Sequence, residues 1–187
     1  MKERPILFSG PMVRAILDGS KTQTRRTFKG TTEHKGPYNP AYMEAHQQAN
    51  GWGSICPYGA PGDRLWVRET FAQDVAGCPG GISYRADHFD PKGDGPAHPM
   101  KWRPSIFIPR WASRILLEIT DVRVQRLQEI SDEDARAEGA IGALNDSIGD
   151  NWCACEAFAA LWESINGPDS WHANPWVWAI TFQRLEP

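Results

Sequence analysis

The chain has 187 residues, 41% of them hydrophobic and 23% charged, which is the balance of a globular fold, and no apolar run reaches the ~18 residues of a helical membrane span. A formal charge of −3 argues against a protein that coats nucleic acid by bulk electrostatics, although a local basic stripe can still hold a few phosphates. Met1-Lys2-Glu3-Arg4 leads only into the short apolar stretch Ile6-Leu7-Phe8, with no secretory h-region, so the expected location is cytoplasmic. Arg outnumbers Lys fourteen to six, a bias toward fork-type recognition and stacking.

Pro5-Ile6-Leu7-Phe8 reads as a short strand. A helix follows, with Ser9 or Gly10 as cap, Pro11 in its first turn, Val13, Ile16 and Leu17 on one face, and Gly19 just past its end. The next segment, Gly19-Ser20-Lys21-Thr22-Gln23-Thr24-Arg25-Arg26, places a possible nucleophile, a possible base and two guanidinium groups at a chain reversal. Residues 29–61 are rich in Gly, Pro, Asn and His and read as an insertion, with a possible short helix after Asn39-Pro40. Pro61-Gly62-Asp63 signals a turn into a strand in which Leu65, Val67 and Glu69 alternate with Trp66, Arg68 and Thr70.

A second loop-rich stretch, 74–104, surrounds a short strand at Ile82-Ser83-Tyr84-Arg85. The longest β pattern runs from Ile115 to Val124, with a bend expected at Asp121. Ser131-Asp132-Glu133-Asp134 opens a short capped helix, with Asp134 as the acid of a capping box, that ends at Gly139. Phe158, Leu161, Trp162 and Ile165 recur at helical spacing as an apolar face. Trp176 to Phe182 closes the series as a strand, with Trp178, Ile180 and Phe182 on its core side. The expected fold class is α+β: one domain over 1–187, a small mixed sheet or barrel with flanking helices and two loop-rich insertions.

Cys56, Cys78, Cys153 and Cys155 lack the paired spacing of a zinc site, and the histidines form no H-E-x-x-H pattern, so no metal is expected. Cys153-Ala-Cys155 begins the last helix, where buried or half-buried thiols are expected. No G-x-G-x-x-G follows a strand and no G-x-x-x-x-G-K-[ST] occurs, so neither sequence signal points to a cofactor.

Gly19, Lys21, Thr24 and Arg26 fill a G-x-K-x-x-T-x-R pattern after a short helix, and Gly62-Asp63 opens a strand. This combination resembles the ASCH superfamily. Pro5-Ile6-Leu7-Phe8-Ser9-Gly10-Pro11-Met12, Gly62 to Thr70 and Asn174-Pro175-Trp176-Val177-Trp178 look like its prophage-associated branch. The resemblance implies a PUA-like β-barrel with a cleft between barrel and helices, and an association with RNA and modified bases. Many members carry Glu where this chain has Thr24. Thr there resembles the bacterial N4-acetylcytidine amidohydrolases, whose implied catalytic set is matched here by Lys21, Thr24 and, more loosely, Glu138.

In that scheme Lys21 takes the Thr24 proton, Thr24 attacks the amide carbonyl, Glu138 orients Lys21 or shuttles the proton, and Arg26 holds the substrate or oxyanion. Arg25 and Arg26 would lower the Lys21 pKa by disfavouring the ammonium. In a regular strand Lys21 and Thr24 face opposite ways, so a turn or bulge is needed for them to meet. Arg25 is a ligand-binding candidate beside Arg26, and Trp66, Arg68, Tyr84, Trp102 and Arg103 are further ones, as stacking platforms or cleft-mouth residues. Three readings stay open: an amidohydrolase acting on N4-acylated cytidine, a non-enzymatic RNA- or DNA-binding module, and an accessory protein that meets a protein partner through the insertions.

Overall fold

The computed structural model describes residues 1–28, 56–73, 81–88, 100–140 and 153–185. The expected helix after Asn39-Pro40 and Trp52, Cys78 and most of both insertions lie outside them. Five strands form a mixed sheet: β1 (Glu3–Leu7), β2 (Gln23–Thr27), β3 (Arg64–Arg68), β6 (Leu116–Arg126) and β7 (Trp176–Leu185). Their order is β1-β3-β6-β7-β2, with β1 parallel to β3 and the other pairs antiparallel. A two-stranded ribbon pairs β4 (Phe71–Ala72) with β5 (Ser83–Tyr84). With helices α1 (Gly10–Leu17), α2 (Asp132–Ala137) and α3 (Ala154–Asn166), the class is α+β. Among the described residues no pairing of β1 with β2 closes the sheet into a ring.

Both faces of the sheet are covered, which explains why β7 is apolar from Trp176 to Phe182 except at Thr181. Trp178, Ile180 and Phe182 pack with Val13 and Ile16 of α1 and with Leu65, Val67 and Leu117 in the first core cluster. Val177, from the opposite side of the pleat, joins Leu127, Ala135, Phe158 and Trp162 beneath α2 and α3. The bend expected at Asp121 is a register shift between Ile119 and Asp121, and Gly62 N donates to Ile119 O at 2.8 Å there. Such a bulge increases local twist.

Two expectations need correction. Ser131 does cap α2, accepting from Asp134 N at 3.1 Å, but the Asp134 carboxylate does not turn back to complete a capping box. It is drawn inward to Gln23 and Arg25, because a charge-assisted bond to a guanidinium is stronger than one to a backbone amide. The capping box belongs to α3 instead, where Cys153 Sγ accepts from Glu156 N and Glu156 accepts from Cys153 N. Serving as a cap leaves Cys153 exposed, whereas Cys155 is half-buried and Cys56 buried.

Candidate functional site

Residues 21 and 22 are pinned between two helix ends. Lys21 N donates to Ala15 O at the end of α1, and Thr22 N donates to Ala137 O at the end of α2, both at 2.8 Å. Gly19 and Gly139 make this approach possible at positive φ of 83° and 70°. A Cβ at Gly139 would lie 3.2 Å from those of Ala15 and Lys21. Lys21 and Glu138 are consequently bridged through their backbones before β2 begins.

That bridge carries a buried charge cluster. Lys21 Nζ donates three bonds of 2.8 Å, to Gln23 O, Glu138 O and Glu138 Oε2. Arg25 donates to Glu138 Oε1 at 3.2 Å, to Asp134 Oδ2 at 2.7 Å and to Gln23 Oε1. Gln23 Nε2 reaches Asp134 Oδ1 at 3.1 Å and Thr181 Oγ1 at 3.2 Å. Neither Lys21 nor Arg25 exposes its side chain. Burial pushes the Lys21 ammonium below its ordinary pKa, aided by the Arg26 and Arg25 charges and resisted by Glu138. For Asp134 burial works upward, yet Gln23, Arg25 and Arg123 together hold its carboxyl below the usual range.

Beside this cluster opens a cleft of about 740 Å³. Thr24, Arg25, Arg26 and Glu138 supply polar groups, and Phe8, Tyr58, Phe158, Trp162 and Trp178 supply aromatic surface. Arg26 lies over the Phe8 ring with its Cζ 5.2 Å from the centroid and donates one bond to Leu7 O. Its buried Nε has no hydrogen-bond partner among the described residues. Leu161 and Ile165 of α3 also line the cleft. Ile165 is 55% exposed, so the apolar face of α3 divides: Phe158 and Trp162 are buried while Leu161 and Ile165 border the opening.

The sequence candidates therefore separate. Lys21 meets Glu138, and both adjoin Arg25, but Lys21 is not among the lining residues and reaches the cleft only through Glu138. Thr24 lines the cleft, and no hydrogen bond joins it to Lys21 among the described residues, since all three ammonium hydrogens go elsewhere. Trp66, Arg68, Tyr84, Trp102 and Arg103 do not line it. Trp66 and Tyr84 pack on a third cluster with Phe71, Ile82, Ile108 and Ala112, and Arg68 Cζ stands 5.4 Å from the Trp66 ring centroid. Tyr84 Oη donates to Ala112 O at 2.7 Å, Trp102 faces His88 at 5.6 Å between centroids, and Arg103 pairs with Phe71 through its backbone.

Sequence reasoning passed over Gln23, Tyr58, Phe8 and the inward role of Asp134. Only Gln23 carried a local signal, by sharing a strand face with Arg25. A second buried acid, Glu69, also went unnoticed. It is held by Arg114 at 2.9 and 3.0 Å, and Arg114 in turn grips Asp87 with two bonds of 2.8 Å. Among the described residues no group of three His, Cys, Asp or Glu side chains is placed to hold a metal, and no helix is long and apolar enough to cross a membrane.

No family model and no curated protein matches the sequence. Among solved structures the chain is similar to a protein of Enterococcus faecalis V583 from the DUF984 family, with 9% identity over 99% of this chain and 81% of that one and a TM-score of 0.43. It is also similar to an ASCH domain from Lactobacillus crispatus JV V101, with 13% identity over 98% and 79% of the two chains and a TM-score of 0.42.

Proposed function

We propose that the cleft receives a nucleobase, presented as a modified nucleoside or as part of an RNA. The observation that carries this reading is the union, in one opening of about 740 Å³, of aromatic walls with a short polar edge at Thr24, Arg26 and Glu138. A volume of that order suits a small ligand, and a planar heteroaromatic ring needs just such stacking surface and a few placed hydrogen-bonding groups. The Arg26 guanidinium, which lines the cleft, supplies a donor for a base carbonyl. Glu138, fixed by Lys21 and Arg25, offers its carboxylate to an exocyclic amine. Calorimetric titration with cytidine and N4-acetylcytidine tests the reading. Saturable binding that weakens about tenfold in Arg26→Ala is expected, on the scale of one charged hydrogen bond, and no binding of either nucleoside up to millimolar concentration would overturn it.

A hydrolytic version uses the same cleft, favoured by Thr24 among its lining residues and by the lowered pKa of Lys21. For this step Lys21 must first lose a proton and with it one of its three hydrogen bonds, and the freed lone pair then takes the Thr24 proton. Thr24 Oγ1 then bonds to the acyl carbon, the C–N bond breaks as the amine receives that proton, and water hydrolyses the acyl-Thr24 ester. Release of cytidine from N4-acetylcytidine, abolished in Lys21→Ala and Thr24→Ala, is the expected signature. Saturable binding without turnover of any N4-acylcytidine would leave a binding module.

A further inference from the structure

We infer that the face running from the cleft along β1 is a second binding surface, built for the flanking nucleotides of a single nucleic-acid strand. The inference rests on the nucleobase reading of the cleft. Residues 100–112 contain Lys101, Arg103 and Arg110 and no acid, although the whole chain is net negative. Within this segment Ile106, Phe107 and Trp111 are 52%, 64% and 69% exposed, while Ile108 and Ala112 between and beside them are anchored in the third cluster.

Its path is fixed at both ends. Ser105 lines the cleft, and its carbonyl accepts from Arg68 Nε at 3.3 Å. Arg110 Nε reaches Glu3 Oε2 at 2.8 Å. Arg68 is registered with Leu7, a cleft residue at one end of β1, and Glu3 stands at the other. The segment thus runs from the cleft toward the far end of β1, a span of ~13 Å at strand rise.

Large aromatics held open to solvent on an anchored backbone lose little freedom when a ring stacks on them, and neighbouring guanidiniums match phosphates. Interleaved aromatics and cations are the requirement of a single strand, whose bases stack and whose backbone is tracked by charge. Arg110 and Glu3 neutralise each other, which leaves the exposed Lys101 and Arg103 as the charges of this segment and favours a polyanion over a cationic or neutral protein surface.

The test compares a fluorescein-labelled decamer of cytidine RNA with cytidine 5′-monophosphate, using the full chain and the double substitution Phe107→Ser/Trp111→Ser. Both side chains are exposed, so folding is undisturbed. The strand is expected to bind at least about tenfold more tightly than the mononucleotide, and the double variant to lose about tenfold or more on the strand alone. A deoxycytidine decamer is expected within about threefold of the RNA, since stacking and charge do not read the sugar; a preference beyond about tenfold would contradict that basis. The proposal is overturned if strand and mononucleotide bind equally, or if the double variant keeps full strand affinity, including the case where it loses a bound protein instead. Strand binding lost in the double variant without any mononucleotide binding would sink the cleft reading and keep this surface. Intact mononucleotide binding with a silent double variant would do the reverse.

Discussion

Lys21 directs its whole ammonium group to oxygens of Gln23 and Glu138, and that makes it a positioning residue for Glu138 before it is anything else. Removing one member of a buried pair is costly because the other charge stays behind. Glu138 keeps Arg25, so Lys21→Met is expected to destabilise the fold by about 3 kcal/mol, near the lower end of that range, as read by urea denaturation. Asp134 adds a pH dependence whose sign follows from its lowered pKa. The unfolded chain binds the proton more readily, so the contribution of Asp134 is fully present above roughly pH 4 and is lost as pH falls through the folded value. Asp134→Asn should lower stability at pH 7, and its difference from the parent should shrink progressively below about pH 4. A difference constant with pH would show that Asp134 is not held ionised by Arg25 and Gln23.

At the scale of elements, α3 serves two masters on neighbouring turns. Phe158 is buried among α2, β7 and the Arg25 guanidinium, whose Cζ lies 5.7 Å from its ring. Ile165 stands open at the cleft. Phe158→Ala is therefore expected to cost about 3–5 kcal/mol, whereas Ile165→Ser should change stability by no more than about 0.5 kcal/mol and still weaken nucleoside binding by a measurable factor. Thermal unfolding paired with calorimetry separates the two effects. Equal stability losses would mean that α3 presents a single core face, as its apolar spacing alone suggests.

Across the whole molecule, what could be read in advance was what local chemistry decides. The alternation of Trp178, Ile180 and Phe182, the cap at Ser131, the bend at Asp121 and the glycine-ended α1 all follow from short-range pattern. Long-range partners did not. Nothing near Asp134 says that it will leave its cap position for Arg25, which is 109 residues away, and nothing near Glu69 announces Arg114. The geometric obstacle foreseen between Lys21 and Thr24 stands despite an early reversal: Lys21 precedes β2 and is tied to Glu138, while Thr24 sits inside the strand and lines the cleft. The sequence brought these residues to notice as one motif, and the fold gives them different neighbours.

The central claim is that this cleft, walled by aromatics and edged by Thr24, Arg26 and Glu138, takes a nucleobase. An amide and side-chain NMR titration of the isotopically labelled full chain with N4-acetylcytidine tests it most directly. Saturable shifts concentrated at Thr24, Arg26, Tyr58, Phe158 and Trp178, and absent from the Arg114–Asp87 region, are the predicted result. Shifts confined to residues outside the cleft, or none at millimolar ligand, would contradict it.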